Sequence, residues 1–273
     1  MDIASKPIDF KKFAEISFFL LDLDGTIYLG DQLLPGALDF LKKIKQVGKR
    51  YVFLTNNSSR NKLDYVKKLK HLGIEVSEAE VLTSGDATAI YLLKQKVNPK
   101  VYLLGTPKLA ESFEKFGLTL SQGRNDHPDF VVLAFDTTLT YQKIWDACDY
   151  IRAGAPFIAT HPDFNCPLPN RKAMPDAGAM IEMFKAATGV SPLVIGKPAR
   201  MMVDVVASQY GVELKNMAMV GDRLYTDIAM GTAAGIASIL VLTGETRSED
   251  YLNQEQFKAT FVFDSVKDMI DLL

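Results

Sequence analysis

Along this chain, short unbroken apolar runs alternate with longer stretches in which apolar residues recur at three- and four-residue spacing. SFFLLD at 17–22 gives way to PGALDFLKKIKQVG at 35–48, then YVFLTNN at 51–57, then RNKLDYVKKLKHLG at 60–73. Unbroken runs suit strands buried on both faces and periodic stretches suit helices that cover them, so the order predicts a βαβα start to a parallel sheet. Gly48 and Gly73 stand where helix C-caps belong. The rhythm returns late: LVIG at 193–196, a helix from Pro198 to near Gly211, MAMVGD at 217–222, a helix around Thr226–Ala234, then ASILVLTG at 237–244. These late strands are expected to complete the first sheet. Between the two sets lie VYLLG, FVVLAFD and PFIAT as strands, with helices near Pro107–Phe116, Tyr141–Ala153 and Asp176–Thr188. The fold class is therefore α/β. A core built from residues 1–84 and 192–273 is interrupted by a smaller inserted α/β domain over 85–191.

Composition narrows the partners. With 273 residues, 48% hydrophobic, the chain is long enough for either one large core or two modest ones. A formal charge of -2 leaves no electrostatic footprint for a nucleic acid polymer or an anionic membrane, so a small molecule is the expected partner. Cys148 and Cys166 suit idle thiols in a reducing compartment better than a disulfide framework. MDIASKPIDFKK lacks the basic-then-apolar pattern of a signal peptide, and no apolar run approaches the ~18 residues of a spanning helix. The expectation is a soluble, cytoplasmic protein.

In open parallel sheets ligands bind beyond the carboxyl ends of strands, so chemistry is sought just after each apolar run. The first run delivers Asp22 and Asp24, two carboxylates two residues apart, with Gly25 allowing a tight turn. The second delivers Thr55, Asn56 and Asn57, the third Lys197, and the fourth Asp222 with Asp227 about a helical turn beyond. If these ends converge, four carboxylates face one ammonium, an arrangement that mutual repulsion makes untenable without a cation. Oxygen donors, with no His or Cys nearby in sequence, favour Mg²⁺ over zinc. A carboxylate nucleophile, a second carboxylate for proton transfer, a Lys, a hydroxyl and a divalent ion are together the parts that phosphoryl transfer needs.

LLDLDGT, LTNNSS, GKP and GDRLYTDI, in that order, resemble the four motifs of the haloacid dehalogenase superfamily of phosphatases. LDLDGTIYLG, TNNSS and the large insertion after the second motif are similar to the NagD-type branch of 4-nitrophenyl and sugar phosphatases. The resemblance implies a Rossmann-like core with an α/β cap domain over the strand ends. It implies Asp22 as the nucleophile, and Asp24 as the acid that protonates the leaving oxygen and then activates water. It implies Mg²⁺ held by Asp22, the main-chain carbonyl of Asp24, and Asp222, with Asp227 behind the ion orienting Lys197 or a water. Thr55, Asn56, Asn57 and Lys197 are the implied contacts to the phosphoryl oxygens.

THPDFNCPLPNRKAMPDAGAM, at 160–180, shows no periodicity and reads as a long loop, the expected reader of substrate identity. His161, Arg171 and Lys172 are its specificity candidates, although His161, Asp163, Arg171 and Lys172, taken singly, are expected in solvent. Asp176 is expected to cap the following helix. The leading function is hydrolysis of small phosphorylated metabolites such as sugar phosphates, nucleotides and 4-nitrophenyl phosphate. Dehalogenation is disfavoured because Asp24 would have no leaving oxygen to protonate. A phosphotransferase or phosphomutase with the same intermediate and a non-catalytic metabolite-binding protein are the alternatives. The cap is the expected surface for any homo-oligomer.

Overall fold

The computed structural model of the chain describes residues 9–124, 126–168 and 172–273. Two compact units are present: Met1–Thr55, Val66–Leu82 and Lys197–Leu273 make the first, and Asn56–Tyr65 with Thr83–Gly196 the second. No described helix is long and apolar enough to cross a membrane.

The first unit is built on a six-stranded sheet in the order Phe261–Phe263, Ala237–Val241, Met217–Gly221, Phe18–Asp22, Arg50–Thr55 and Val81–Thr83. The central strand runs parallel to both neighbours, Phe18 lying opposite Met217 on one side and Arg50 on the other. Phe18–Leu21 and Met217–Val220 are wholly buried, as strands covered on both faces must be. The chain leaves Phe18–Asp22 toward Arg50–Thr55 on one side, whereas Met217–Gly221 lies on the other and continues outward to Ala237–Val241. The switch point therefore falls between the strands that end in Asp22 and Gly221, where an open α/β sheet leaves a crevice. At the far edge, Phe13 of the Phe10–Ala14 helix meets the rings of Phe261 and Phe263 edge-on at 5.4 and 6.0 Å. Such pairs contribute about 1 kcal/mol each beyond area burial and fasten the helix to the edge strand.

The second unit holds a five-stranded parallel sheet in the order Leu193–Val194, Phe157–Ala159, Phe130–Leu133, Lys100–Leu104 and Thr119–Leu120. Tyr102, Leu104, Val131, Phe157 and Phe184 are among its buried core. The helices Pro107–Lys115, Tyr141–Arg152 and Ala177–Thr188 begin on side-chain caps: Thr106, Thr140 and Asp176 accept from Leu109, Lys143 and Ala177 main-chain N–H groups. Each such cap contributes about 1 kcal/mol.

Three expectations need correction. The Leu193–Val194 strand does not join the first sheet; it pairs with Phe157–Ala159 in the second, because Leu193 and Val194 take Ile158 and Ala159 as parallel partners. The helix after Lys197 starts at Met201 rather than Pro198, leaving Lys197 and Pro198 in a turn. The aperiodic segment is not a plain loop: Asn165–Leu168 and Lys172–Pro175 pair as antiparallel strands, and Asn165, Lys172, Ala173 and Pro175 are all exposed, so no buried face imprints a two-residue alternation. The Ser84–Gln95 helix is not among the elements expected above, although its Thr83–Asp86 capping box is a start signal that the sequence carries.

Candidate active site

At the switch point of the first sheet, Asp22 ends one strand and Asp222 follows the next. One oxygen each from Asp22, Asp222 and Asp227 lie within 4.8 Å of one another. Asp227 reaches this cluster because Leu224–Ile228 forms a π-helical turn ahead of the Ala229–Ala234 helix, where the sequence had suggested one continuous helix. Gly221 makes the approach possible, since a Cβ there would lie 2.2 Å from the Asp227 carboxyl carbon.

Lys197, only 3% exposed, donates its ammonium protons to Asp22 Oδ1 and, at 2.7 Å, to Asp227 Oδ1. Burial alone would lower its pKa, but the two carboxylates more than offset that and hold it above its ordinary value. The other Asp227 oxygen accepts from the Arg223 main-chain N–H at 3.1 Å, so both its oxygens are engaged by the protein. Asp222 is arranged differently. Its Oδ2 accepts from Glu245 N–H at 2.6 Å, while Oδ1 is buried with no hydrogen-bond partner among the described residues. Burial, followed by the charges of Asp22 and Asp227, pushes the Asp222 pKa up to about 8. Burial likewise pushes Asp227 up to about 6, against the pull of Lys197.

The sequence counted four carboxylates against one ammonium. The structure gathers three, and it supplies a second cation: the guanidinium of Arg223, 3.0 Å from Glu245, is kept above its usual pKa by Asp22, Asp222 and Glu245 despite burial. Arg223 was missed although it sits inside GDRLYTDI, directly after Asp222. Asp24 stands apart from the trio. Its side chain reaches solvent and accepts from the Tyr28 hydroxyl at 3.2 Å. Protein atoms crowding its inner side still raise its pKa, with Lys68 and Tyr28 pulling the other way. Thr55 is buried at the end of the Arg50–Thr55 strand.

The donor set fits a hard divalent cation. All three converging groups are carboxylates, burial and their mutual repulsion raise the pKa values of Asp222 and Asp227, and Asp222 Oδ1 is a buried acceptor with no hydrogen-bond partner among the described residues.

The remaining candidates lie in the second unit. Asn56 donates from Nδ2 to Asp163 Oδ2 at 2.7 Å, and Asn57 Oδ1 accepts from Ser59 N–H at 2.9 Å, closing a local turn. His161 and Asp163 are buried, contrary to the expectation of solvent. His161 Nδ1 lies 2.8 Å from Thr160 Oγ1 and Nε2 lies 2.9 Å from Asp176 Oδ1, so both ring nitrogens are spent on the protein. Thr160 Oγ1 in turn meets Ser58 Oγ at 3.0 Å, and Ser58 Oγ accepts from Phe135 N–H. The imidazole is thus part of a buried polar chain, which the sequence concealed because Ser58 and Thr160 are far apart in it. Lys172 is exposed on its hairpin strand, and Arg171 lies outside the described residues.

Profiles of known families match this chain twice: the haloacid dehalogenase-like hydrolases at residues 19–119 and the HAD-hydrolase-like group at 194–269. The 5′-nucleotidase YutF of Bacillus subtilis is 35% identical over 252 residues, which is 92% of this chain and 96% of the relative. A 4-nitrophenylphosphatase from Thermotoga maritima has a similar structure, with a TM-score of 0.90 at 48% identity over 95% of this chain and 98% of that one. A glycerol phosphate phosphatase from Mycobacterium tuberculosis, in complex with magnesium, gives a TM-score of 0.85 at 32% identity over 93% and 77% of the two chains.

Proposed function

The chain belongs to the haloacid dehalogenase-like hydrolases, as one of their phosphatases, and from that premise we propose that it hydrolyses small phosphomonoesters through a phosphoryl group carried on Asp22. The observation that carries the reading is the junction at the switch point, where Asp22, Asp222 and Asp227 converge, Lys197 bridges Asp22 and Asp227, and Asp222 Oδ1 has no hydrogen-bond partner among the described residues.

Asp22 attacks phosphorus with a carboxylate oxygen, and the bond from phosphorus to the ester oxygen breaks. Asp24, whose raised pKa keeps more of it protonated at a given pH, gives its proton to the departing oxygen. Asp24, now ionised, takes a proton from water, whose oxygen attacks the phosphorus of the aspartyl phosphate. Inorganic phosphate leaves and Asp22 is regenerated. Lys197 and the Thr55 hydroxyl bind the non-bridging oxygens, and Asp227 keeps the ammonium of Lys197 aimed at them. Asp22 and Asp222, with the main-chain carbonyl of Asp24, would hold Mg²⁺. When bound, the ion supplies neutralisation of the charge that collects on the phosphoryl oxygens.

The substrate class follows from relatives that are named for a 5′-nucleotide, 4-nitrophenyl phosphate and glycerol phosphate, all small monoesters. The testing experiment is phosphate release from a panel of sugar phosphates, nucleoside monophosphates and 4-nitrophenyl phosphate, with and without Mg²⁺. Release that needs Mg²⁺ and stops in Asp22→Asn supports the proposal; equal release by that variant overturns it.

A further inference from the structure

We propose that the turn Thr243–Thr246, which follows the Ala237–Val241 strand, is a positioning clamp that presents one chosen oxygen of Asp222 to the divalent cation. This inference rests on the metal reading given above. Four contacts converge there. The Thr243 hydroxyl donates to the Gly25 carbonyl at 2.6 Å, Glu245 N–H donates to Asp222 Oδ2 at 2.6 Å, and Thr246 N–H donates to the Asp222 carbonyl at 3.2 Å. The fourth is the Glu245 carboxylate, 3.0 Å from Arg223 Nε.

Shape completes the clamp. A Cβ on Gly244 would lie 1.9 Å from Asp222 Oδ2, and one on Gly25 would lie 2.5 Å from the same oxygen and 3.0 Å from Gly244 Cα. Gly25 also has φ +86, which side chains other than glycine adopt with strain. Two glycines thus wall Oδ2 on two sides while a main-chain N–H occupies it. With Oδ2 engaged, Oδ1 is the Asp222 oxygen left without a hydrogen-bond partner among the described residues, in a carboxylate that places an oxygen within 4.8 Å of oxygens of Asp22 and Asp227. A carboxylate fixed in this way loses little rotational freedom when it takes a ligand, which strengthens binding. Supports of this kind change metal affinity by roughly 10–100-fold when removed.

Titrating Mg²⁺ into chelator-stripped protein by isothermal titration calorimetry tests the clamp, with circular dichroism to verify the fold of each variant. Gly244→Ala should weaken Mg²⁺ binding by ~10-fold or more, because the methyl group takes the place of Oδ2. Thr243→Val keeps the side-chain shape, removes only the tie to Gly25, and should weaken binding by a smaller factor of about 3. Catalytic rate at saturating Mg²⁺ should stay closer to wild type than the Mg²⁺ dissociation constant does. If Gly244→Ala fails to fold, Thr243→Val decides the question. Unchanged Mg²⁺ affinity in the folded variants, with wild type binding normally, overturns the clamp alone; a wild type that binds no Mg²⁺ overturns the metal reading and the clamp with it.

Discussion

Asp22 is largely buried and faces Lys197, so its carboxylate is held in one orientation by a charge that does not depart across the ordinary pH range. Asp22→Asn keeps the size and removes the nucleophile. Turnover of 4-nitrophenyl phosphate should fall by at least ~10⁴-fold with unchanged circular dichroism, the scale of losing a nucleophile outright. Residual activity within tenfold of wild type would refute the assignment. The neighbouring carboxylate permits a pH test. Asp24 has a raised pKa, and the Tyr28 hydrogen bond opposes the rise because it favours the ionised form. Tyr28→Phe should raise it further and shift the alkaline limb of the kcat/KM profile, where the proton donor is lost, to higher pH. A limb that stays in place or moves lower would detach Asp24 from the acid role.

At the scale of elements, the Ala177–Thr188 helix separates what was legible from what was not. Its start at Asp176 followed from a capping side chain ahead of a periodic run, a signal that lies within a few residues of sequence. The second duty of Asp176, accepting from His161 Nε2, joins residues fifteen positions apart across a hairpin and leaves no local pattern. The same division holds elsewhere. Asp22, Asp24, Thr55, Lys197, Asp222 and Asp227 stand out as candidates because each follows an apolar run or lies about a turn beyond one. The clamp at Gly244 and Glu245 was not, because it acts through a missing side chain and a main-chain N–H. The Leu193–Val194 strand pairs in the second sheet rather than the first, and a run so short carries no information about its partner. Asp176→Ala should therefore cost more than a lost cap. It removes ~1 kcal/mol of capping and leaves the buried imidazole donor unsatisfied for another ~1–3 kcal/mol. Asp176→Ser should restore the cap only. Denaturant unfolding that found both variants equal to wild type would show that the His161 contact carries no weight.

At the scale of the whole molecule, the first unit gathers carboxylates that repel one another, and its stability should follow pH and metal together. In metal-free protein, Asp222 and Asp227 have folded pKa values raised from 3.8 to about 8 and about 6. The folded state binds these protons more tightly than the unfolded chain, so the stabilisation is fully present below pH ~4 and is lost as pH rises through about 6 and about 8. Lys197 does not alter the trend, since its pKa is held above its ordinary value, well beyond that window. Mg²⁺ requires the ionised carboxylates, so binding it releases protons and strengthens with pH over the same range. In a chelator, Tm should therefore decline from pH 5 to pH 8.5, and the rise produced by saturating Mg²⁺ should grow across that interval. Scanning calorimetry in paired chelator and Mg²⁺ buffers measures both. Hydrogen exchange adds the location: amides of Met217–Gly221, which leads into Asp222, should slow on adding Mg²⁺, whereas those of Phe130–Leu133, in a sheet that contributes none of the three carboxylates, should not. A Mg²⁺-induced rise in Tm that was equal at every pH would mean that the carboxylates are already ionised in the metal-free fold, and the reading of repulsion relieved by a cation would fail.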